Sequence, residues 1–180
     1  MATTSQQAAL QGGEFLVKES KATDLFISED FDEESLMMQR SCREFIDQEI
    51  LPRIEDIDAH KDWNLPPSLL EKAADLGFLG LGVPEEYGGF EVPFTTTLLL
   101  SETVAWGQSF SLTIGVQTSI GIAPILFYGN EEQHAKYLPK MVTGETKTCY
   151  CLTEPDSGSD ANAAKTKAIP TVDGQHYVLN

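Results

Sequence analysis

Basic residues are scarce in this sequence. Twelve Lys and Arg stand against 28 Asp and Glu, a formal net charge of −16. Nucleic acid and anionic membrane surfaces both recruit positive patches, so the balance argues against either partner. Cysteine is scarce as well. Cys42, Cys149 and Cys151 make an odd count with no repeating framework, which points to a reducing compartment. Cys149-Tyr150-Cys151 does not have a metal-ligand spacing. Alternate residues of an extended segment share a face, so two packed thiols are expected there. His60, His134 and His176 lie far apart and form no ligand pattern, so no metal site is expected. No run of apolar residues reaches the roughly 18 needed for a membrane span. Met1 to Gly13 carries no basic residue. Secretory and mitochondrial leaders need positive charge, so neither is supported and a cytoplasmic location is expected. Five glycines fall between Gly77 and Gly89, but neither G-x-G-x-x-G nor a P-loop is present, and the segment reads as a close-packed turn.

What is present is helical periodicity. A Ser/Gln/Gly-rich tail to about Glu19 is expected to be mobile, with Phe15, Leu16 and Val17 available to pin it. A first helix is predicted from near Asp32, where Ser28–Glu34 holds five carboxylates that suit a positive helix end. Leu36, Met37, Cys42, Phe45, Ile46, Ile50, Ile54 and Ile57 mark its buried stripe, and Pro52 predicts an interruption. A second helix is predicted from Pro66 or Pro67, with Leu69, Leu70, Ala73 and Leu76 inward and Gly77 as its terminator. A third spans about Thr95 to Trp106. A fourth, Leu112 to Tyr128, has no charge at all, and a helix apolar all round is expected to be a buried core helix. Asn130-Glu131-Glu132-Gln133 has the form of a capping box opening a fifth helix, to about Val142.

The chain then changes character. Thr148 to Thr153 suits a half-buried strand, and Pro155 ends it. Asp156-Ser157-Gly158-Ser159-Asp160 is turn chemistry that exposes N–H and hydroxyl donors, as a phosphate or a flavin edge requires, although most such strings are simply turns. Thr166 to Asn180 reads as a hairpin about Asp173-Gly174. The fold class is therefore mainly α, with a bundle-like helical domain over residues 31–145, a tail over 1–30, and the opening strands of a β domain over 146–180. Two strands do not make a self-sufficient sheet, so the chain reads as the N-terminal part of a larger protein.

The string Cys-Leu-Thr-Glu-Pro-x-x-Gly-Ser-Asp-x-x-Ala, from Cys151 to Ala163, resembles a signature of the acyl-CoA dehydrogenase family. Two further stretches resemble it in the same order: Leu76 to Gly89, and Pro124 to Gln133 with Tyr137-Leu138-Pro139 beyond. The resemblance implies FAD-dependent α,β-dehydrogenation of a fatty acyl-CoA, within a helical, a β and a second helical domain. Carried over by position, it implies that Tyr150, Cys151, Leu152 and Thr153 meet the flavin ring and that Gly158 and Ser159 meet its diphosphate. It also implies that Ser159 meets the pantetheine arm, and that Leu112 and Val116 line the acyl cavity. Glu154 and Asp160 are expected to hold the loop in shape, while Asp156 is unfavourable near phosphate unless it points to solvent. The family's catalytic base is a glutamate that would lie beyond Asn180. None of Glu102, Glu131 and Glu154 matches its position, so no catalytic residue is assigned, and residues 1–180 alone are expected to be inactive. The implied partners are a fatty acyl-CoA, an electron-transfer flavoprotein or similar acceptor, and further copies of the chain in a dimer or tetramer. The Gln117–Gly121 run leans toward a long-chain or very-long-chain type. The rival readings are a nitroalkane oxidase-like or monooxygenase-like flavoprotein, and an acidic helical interaction module.

Overall fold

Helix starts follow local capping chemistry throughout. In the computed structural model, which describes Leu10 and residues 12–180, the Asp32 side chain accepts the Ser35 N–H at 2.7 Å and opens α1, Glu33–Phe45. Satisfying that orphan donor, with carboxylates at the positive end, fixes the start. Hydrogen bonding from the Ser35 side chain and backbone holds the Asp32 carboxyl below its ordinary value. The helix continues through a π turn at Ile46–Ile50 and a 3-10 turn at Leu51–Arg53 into α2, Ile54–Asp58. Pro52 sits in the 3-10 turn, where the missing N–H forces a change of hydrogen bonding. Of the tail expected to run to about Glu19, residues 1–9 and 11 lie outside the described residues. Within the remainder Gly12–Leu16 form a 3-10 turn, and Phe15, Leu16 and Val17 are exposed.

Helix α3, Leu65–Asp75, opens with proline in its first turn and ends where Gly77 adopts φ +84°. Gly80 and Gly89 then pack backbone on backbone. A Cβ on Gly89 would lie 2.2 Å from the Val83 carbonyl oxygen, so the glycine-rich segment is a close-packed turn, as its sequence predicts. Next come α4, Phe94–Val104, then α5, Ser109–Val116, then a π turn at Gln117–Gly121. Two more helices follow, α6, Ala123–Tyr128, and α7, Glu131–Val142. The capping box is present: Asn130 Oδ1 accepts the Gln133 N–H and Gln133 Oε1 accepts the Asn130 N–H, both at 2.9 Å. Strands β1, Ala168–Pro170, and β2, Tyr177–Leu179, form an antiparallel hairpin with Ile169 opposite Val178.

The helices enclose two apolar clusters. Cys42, Phe45, Ile46, Ile50, Leu69, Leu70, Phe110 and Ile114 belong to the larger one. Burial pushes the Cys42 thiol up to about 11, so it behaves as a core side chain. Val83, Ile122, Leu138, Met141 and Val142 form the second. A buried hydroxyl pair, Ser35 Oγ to Thr96 Oγ1 at 2.8 Å, ties α1 to α4.

Three burial expectations need correction. Met37 is exposed and Ser35 takes the inward place, because the stripe is one turn-position out of register at its start. Leu76 is 49% exposed, because α3 ends before it can face the core. The charge-free helix is not buried all round. Phe110, Ile114, Gln117 and Ile122 face inward, but Leu112, Ile120, Phe127 and Tyr128 are exposed. The other described elements cover only one of its sides. Ser109–Tyr128 is, by length and composition, apolar enough to cross a membrane, yet Gln117 within it is buried and tied to the chain beyond α7.

Candidate cofactor and substrate site

Just past α7 the chain turns at Gly144, φ +72°, and comes back to the helix that carries Gln117 and Gly121. Residues 147–153 join no ladder, which corrects the expected strand over Thr148–Thr153. A side chain supplies the missing partner. Gln117 is 1% exposed. Its Nε2 donates to the Met141 and Thr146 carbonyl oxygens at 3.0 and 2.9 Å. Its Oε1 accepts the Thr148 N–H and Thr148 Oγ1 at 2.9 and 3.0 Å. Both donors and both acceptor sites of the amide are used, which is what allows a polar group at this depth. Gly121, one π turn later, lets the segment lie directly on the helix. A Cβ there would meet Thr148 Oγ1 at 1.9 Å. Lys147 adds an ion pair to Glu71 of α3.

From this clamped segment the loop runs outward. Glu154 and Ser157 exchange backbone hydrogen bonds at 3.0 and 3.1 Å, closing a tight turn. Ser157 is buried and its Oγ donates to the Asp160 carbonyl. The Glu154 carboxylate accepts the Lys165 N–H at 2.6 Å and the Thr166 N–H at 3.2 Å. These bonds, led by that from Lys165, hold its carboxyl below the ordinary range. Asp160 caps the short turn Ala161–Ala163 through the Asn162 N–H at 3.1 Å. Asp156 pairs with Lys165 Nζ at 2.9 Å, both side chains being largely exposed. Each loop carboxylate thus binds donors of the loop itself, as expected for Glu154 and Asp160.

That leaves the outward face to other residues. Tyr150, Cys151, Leu152, Thr153, Gly158 and Ser159 are all exposed, and a Cβ on Gly158 would meet nothing within 4 Å. That face offers three hydroxyls, of Tyr150, Thr153 and Ser159, together with exposed backbone and an open approach at Gly158, and each of the loop's carboxylates has a donor of its own. Cys149 and Cys151 are exposed rather than packed; the contact with the helix at Gly121 is made by Thr148. Their thiols do meet, and the Cys151 contact pushes Cys149 up.

Leu112 and Val116 come together on one face of α5. They line an open depression of about 380 Å³ with Pro66, Pro67, Leu70 and Thr148. A more enclosed cavity of about 260 Å³ lies on the other side of α5, among Cys42, Phe78, Leu81, Leu100 and Thr118. Of the two, only the first includes residues of the clamped segment, Lys147 and Thr148. The residues missed from sequence are Gln117 and Thr148. The available signal was an amide inside an uncharged helix, which is costly to bury without partners.

Comparison with known proteins gives a consistent picture. The sequence model described as acyl-CoA dehydrogenase, N-terminal domain, matches residues 32–145. A probable acyl-CoA dehydrogenase of Bacillus subtilis strain 168 is 43% identical over 169 residues, covering 94% of this chain and 28% of that protein. The very long-chain specific acyl-CoA dehydrogenase of Homo sapiens mitochondria is 44% identical over 107 residues, covering 59% of this chain and 16% of that protein. A crystal structure of an acyl-CoA dehydrogenase complexed with FAD from Bacillus anthracis superposes with a TM-score of 0.88 at 44% identity, covering 96% of this chain and 29% of that one. The chain thus spans less than a third of the length of each of these relatives.

Proposed function

The chain belongs to the acyl-CoA dehydrogenase family, and from that premise we propose that the protein carries out FAD-dependent α,β-dehydrogenation of a fatty acyl-CoA to the trans-2-enoyl-CoA. One observation carries the reading. The loop 150–159 turns Tyr150, Leu152, Thr153, Gly158 and Ser159 outward while its carboxylates are occupied internally, and it springs from a segment clamped to the helix that bears Leu112 and Val116.

FAD held by these residues would supply the acceptor for the hydride of the substrate's β carbon. The chain's own residues bind and orient. Thr153 offers its hydroxyl to the ring, and Tyr150, Cys151 and Leu152 offer backbone groups. Gly158 and Ser159 offer an open backbone and a hydroxyl to the diphosphate, with Ser159 also reaching the pantetheine arm. Leu112 and Val116 supply apolar wall to the acyl chain, which excludes water from the reacting carbons. The Glu154 carboxylate is tied to two backbone N–H groups and held in its charged form, so it shapes the loop rather than abstracting a proton. We assign no general base within this chain. The identity shared with a very long-chain specific relative supports a long acyl substrate. An electron-transfer flavoprotein as acceptor and a homo-oligomeric assembly belong to the same proposal.

The test is to purify the intact protein, quantify bound flavin by visible absorbance, and add saturated acyl-CoAs of increasing length without oxygen. Bleaching of the flavin by long acyl-CoAs is the expected result. Bleaching by nitroalkanes or a reduced nicotinamide instead would move the protein to another flavoenzyme class. A flavin-free protein would leave only a helical interaction module.

A further inference from the structure

We propose that Gln117 is a positioning residue for the flavin loop: its side-chain amide stands in for a parallel β-strand and fixes the register of the chain that delivers Tyr150–Thr153. This rests on the flavin reading of that loop. In a parallel ladder, one residue donates to the carbonyl of position i−1 and accepts from the N–H of position i+1 on its neighbour. Gln117 Nε2 donates to the Thr146 carbonyl at 2.9 Å and Oε1 accepts the Thr148 N–H at 2.9 Å. That is the same pattern, centred on Lys147, made by a side chain.

A strand pairing can slip by two residues and keep its faces. This clamp cannot. Nε2 also donates to the Met141 carbonyl at 3.0 Å, and Oε1 also accepts Thr148 Oγ1 at 3.0 Å. A slip that brings Thr146 to this place would break the Thr146 N–H bond to the Lys140 carbonyl at 2.9 Å; the opposite slip, which brings Tyr150 there, would lose the hydroxyl bond. It would also place another side chain against Gly121, where even the hydroxyl of Thr148 leaves no room for one more carbon. An apolar residue at position 117 would fill the same space at no desolvation cost, so packing alone does not call for an amide here. From Thr148 to Tyr150 is two residues, about 7 Å of extended chain, which leaves little slack between clamp and loop. Because Val116 is the adjacent residue, the same clamp sets the distance between the acyl wall and the flavin loop.

The experiment compares FAD affinity of the apoprotein, by flavin fluorescence quenching, in wild type, Gln117→Leu, Thr148→Val and Leu138→Ala. All are measured at a temperature where melting curves show each folded, and Thr148 amide exchange is followed in parallel. Leu138 is a fully buried member of the second cluster with no part in the clamp, so its variant lowers melting without touching register. The expected result is FAD affinity roughly 10- to 100-fold weaker in Gln117→Leu and roughly 2- to 10-fold weaker in Thr148→Val, which loses one bond of four. Leu138→Ala should melt earlier and bind FAD normally. If Gln117→Leu does not fold, Thr148→Val decides, because its amide bond to Gln117 remains. Wild-type FAD affinity in both clamp variants, or in Thr148→Val where only that folds, overturns the inference. So does an equal loss in Leu138→Ala. Failure of the wild type to bind FAD at all overturns the flavin reading, and the inference with it.

Discussion

Gly121→Ala sets two effects against each other. Its φ is negative, so Ala is compatible with the local backbone, and replacing Gly by Ala in a helix interior gains about 1 kcal/mol. Against that, the new Cβ would lie 1.9 Å from Thr148 Oγ1, 2.7 Å from Thr148 Cβ and 2.8 Å from the Val116 carbonyl oxygen. Rotating the Thr148 side chain relieves only the first contact, and it does so by breaking the hydroxyl bond to Gln117. The second contact involves an atom fixed to the backbone, so the clamped segment itself must move. Overpacking of this kind costs about 1–3 kcal/mol, and the backbone contact places it toward the upper end. The net expectation is a loss of about 2 kcal/mol, or roughly 30-fold faster exchange of the Thr148 amide under native conditions. Adding Thr148→Gly removes the two nearest atoms. In that background Gly121→Ala should cost at least about 1 kcal/mol less. Unchanged or slower exchange in Gly121→Ala would show that helix propensity wins and that the segment does not lie on the helix as described.

Other consequences are open to direct measurement. Glu154→Gln weakens the bonds that close the loop, so the Lys165 and Thr166 amides should exchange faster while α7 amides do not. Because the folded Glu154 carboxyl lies below its ordinary value of 4.5, its contribution is fully present above that pH and is lost as pH falls through the lower folded value; those same amides should lose protection in acid and not in base. Thr153→Val in the intact protein should shift the flavin spectrum and lower the rate by up to roughly tenfold, the value of one hydrogen bond; identical spectra and rates would remove Thr153 from the site. Val116→Phe should lower kcat/KM for long acyl-CoAs by roughly tenfold or more while sparing short ones, and a uniform loss at every length would make Val116 an ordinary wall residue.

Much of the helical architecture was legible because it follows from short-range chemistry. Asp32, the Asn130–Gln133 box, Gly77 and Gly144 act within one turn, and their residue types alone determine where helices start and stop. Pro52 likewise marks the change to π and 3-10 turns. What was not legible depends on neighbours. The uncharged helix looked like a core element, but composition says only that a side can be buried, not that other residues of the chain cover it; Leu112 and Phe127 are each 72% exposed. Thr148–Thr153 has the composition of a strand, yet it joins no ladder, and its start is held by the side chain of Gln117, which no periodicity reveals. Cys149 and Cys151 share a face as expected, but that face is open. Within the loop, residue types predicted a donor-rich turn, and the roles of Glu154 and Asp160 follow from their hydrogen bonds. The link from that turn to a flavin came from the order of residues between Cys151 and Ala163, not from composition.

The claim that Tyr150–Ser159 is the flavin-contacting surface is tested most directly by hydrogen exchange on the intact apoprotein, with and without saturating FAD. Added FAD should slow exchange at the amides of Tyr150–Thr153, Gly158 and Ser159, and leave those of α1 and α4 unchanged. Protection that appears elsewhere in the chain while those loop amides exchange as before would contradict it.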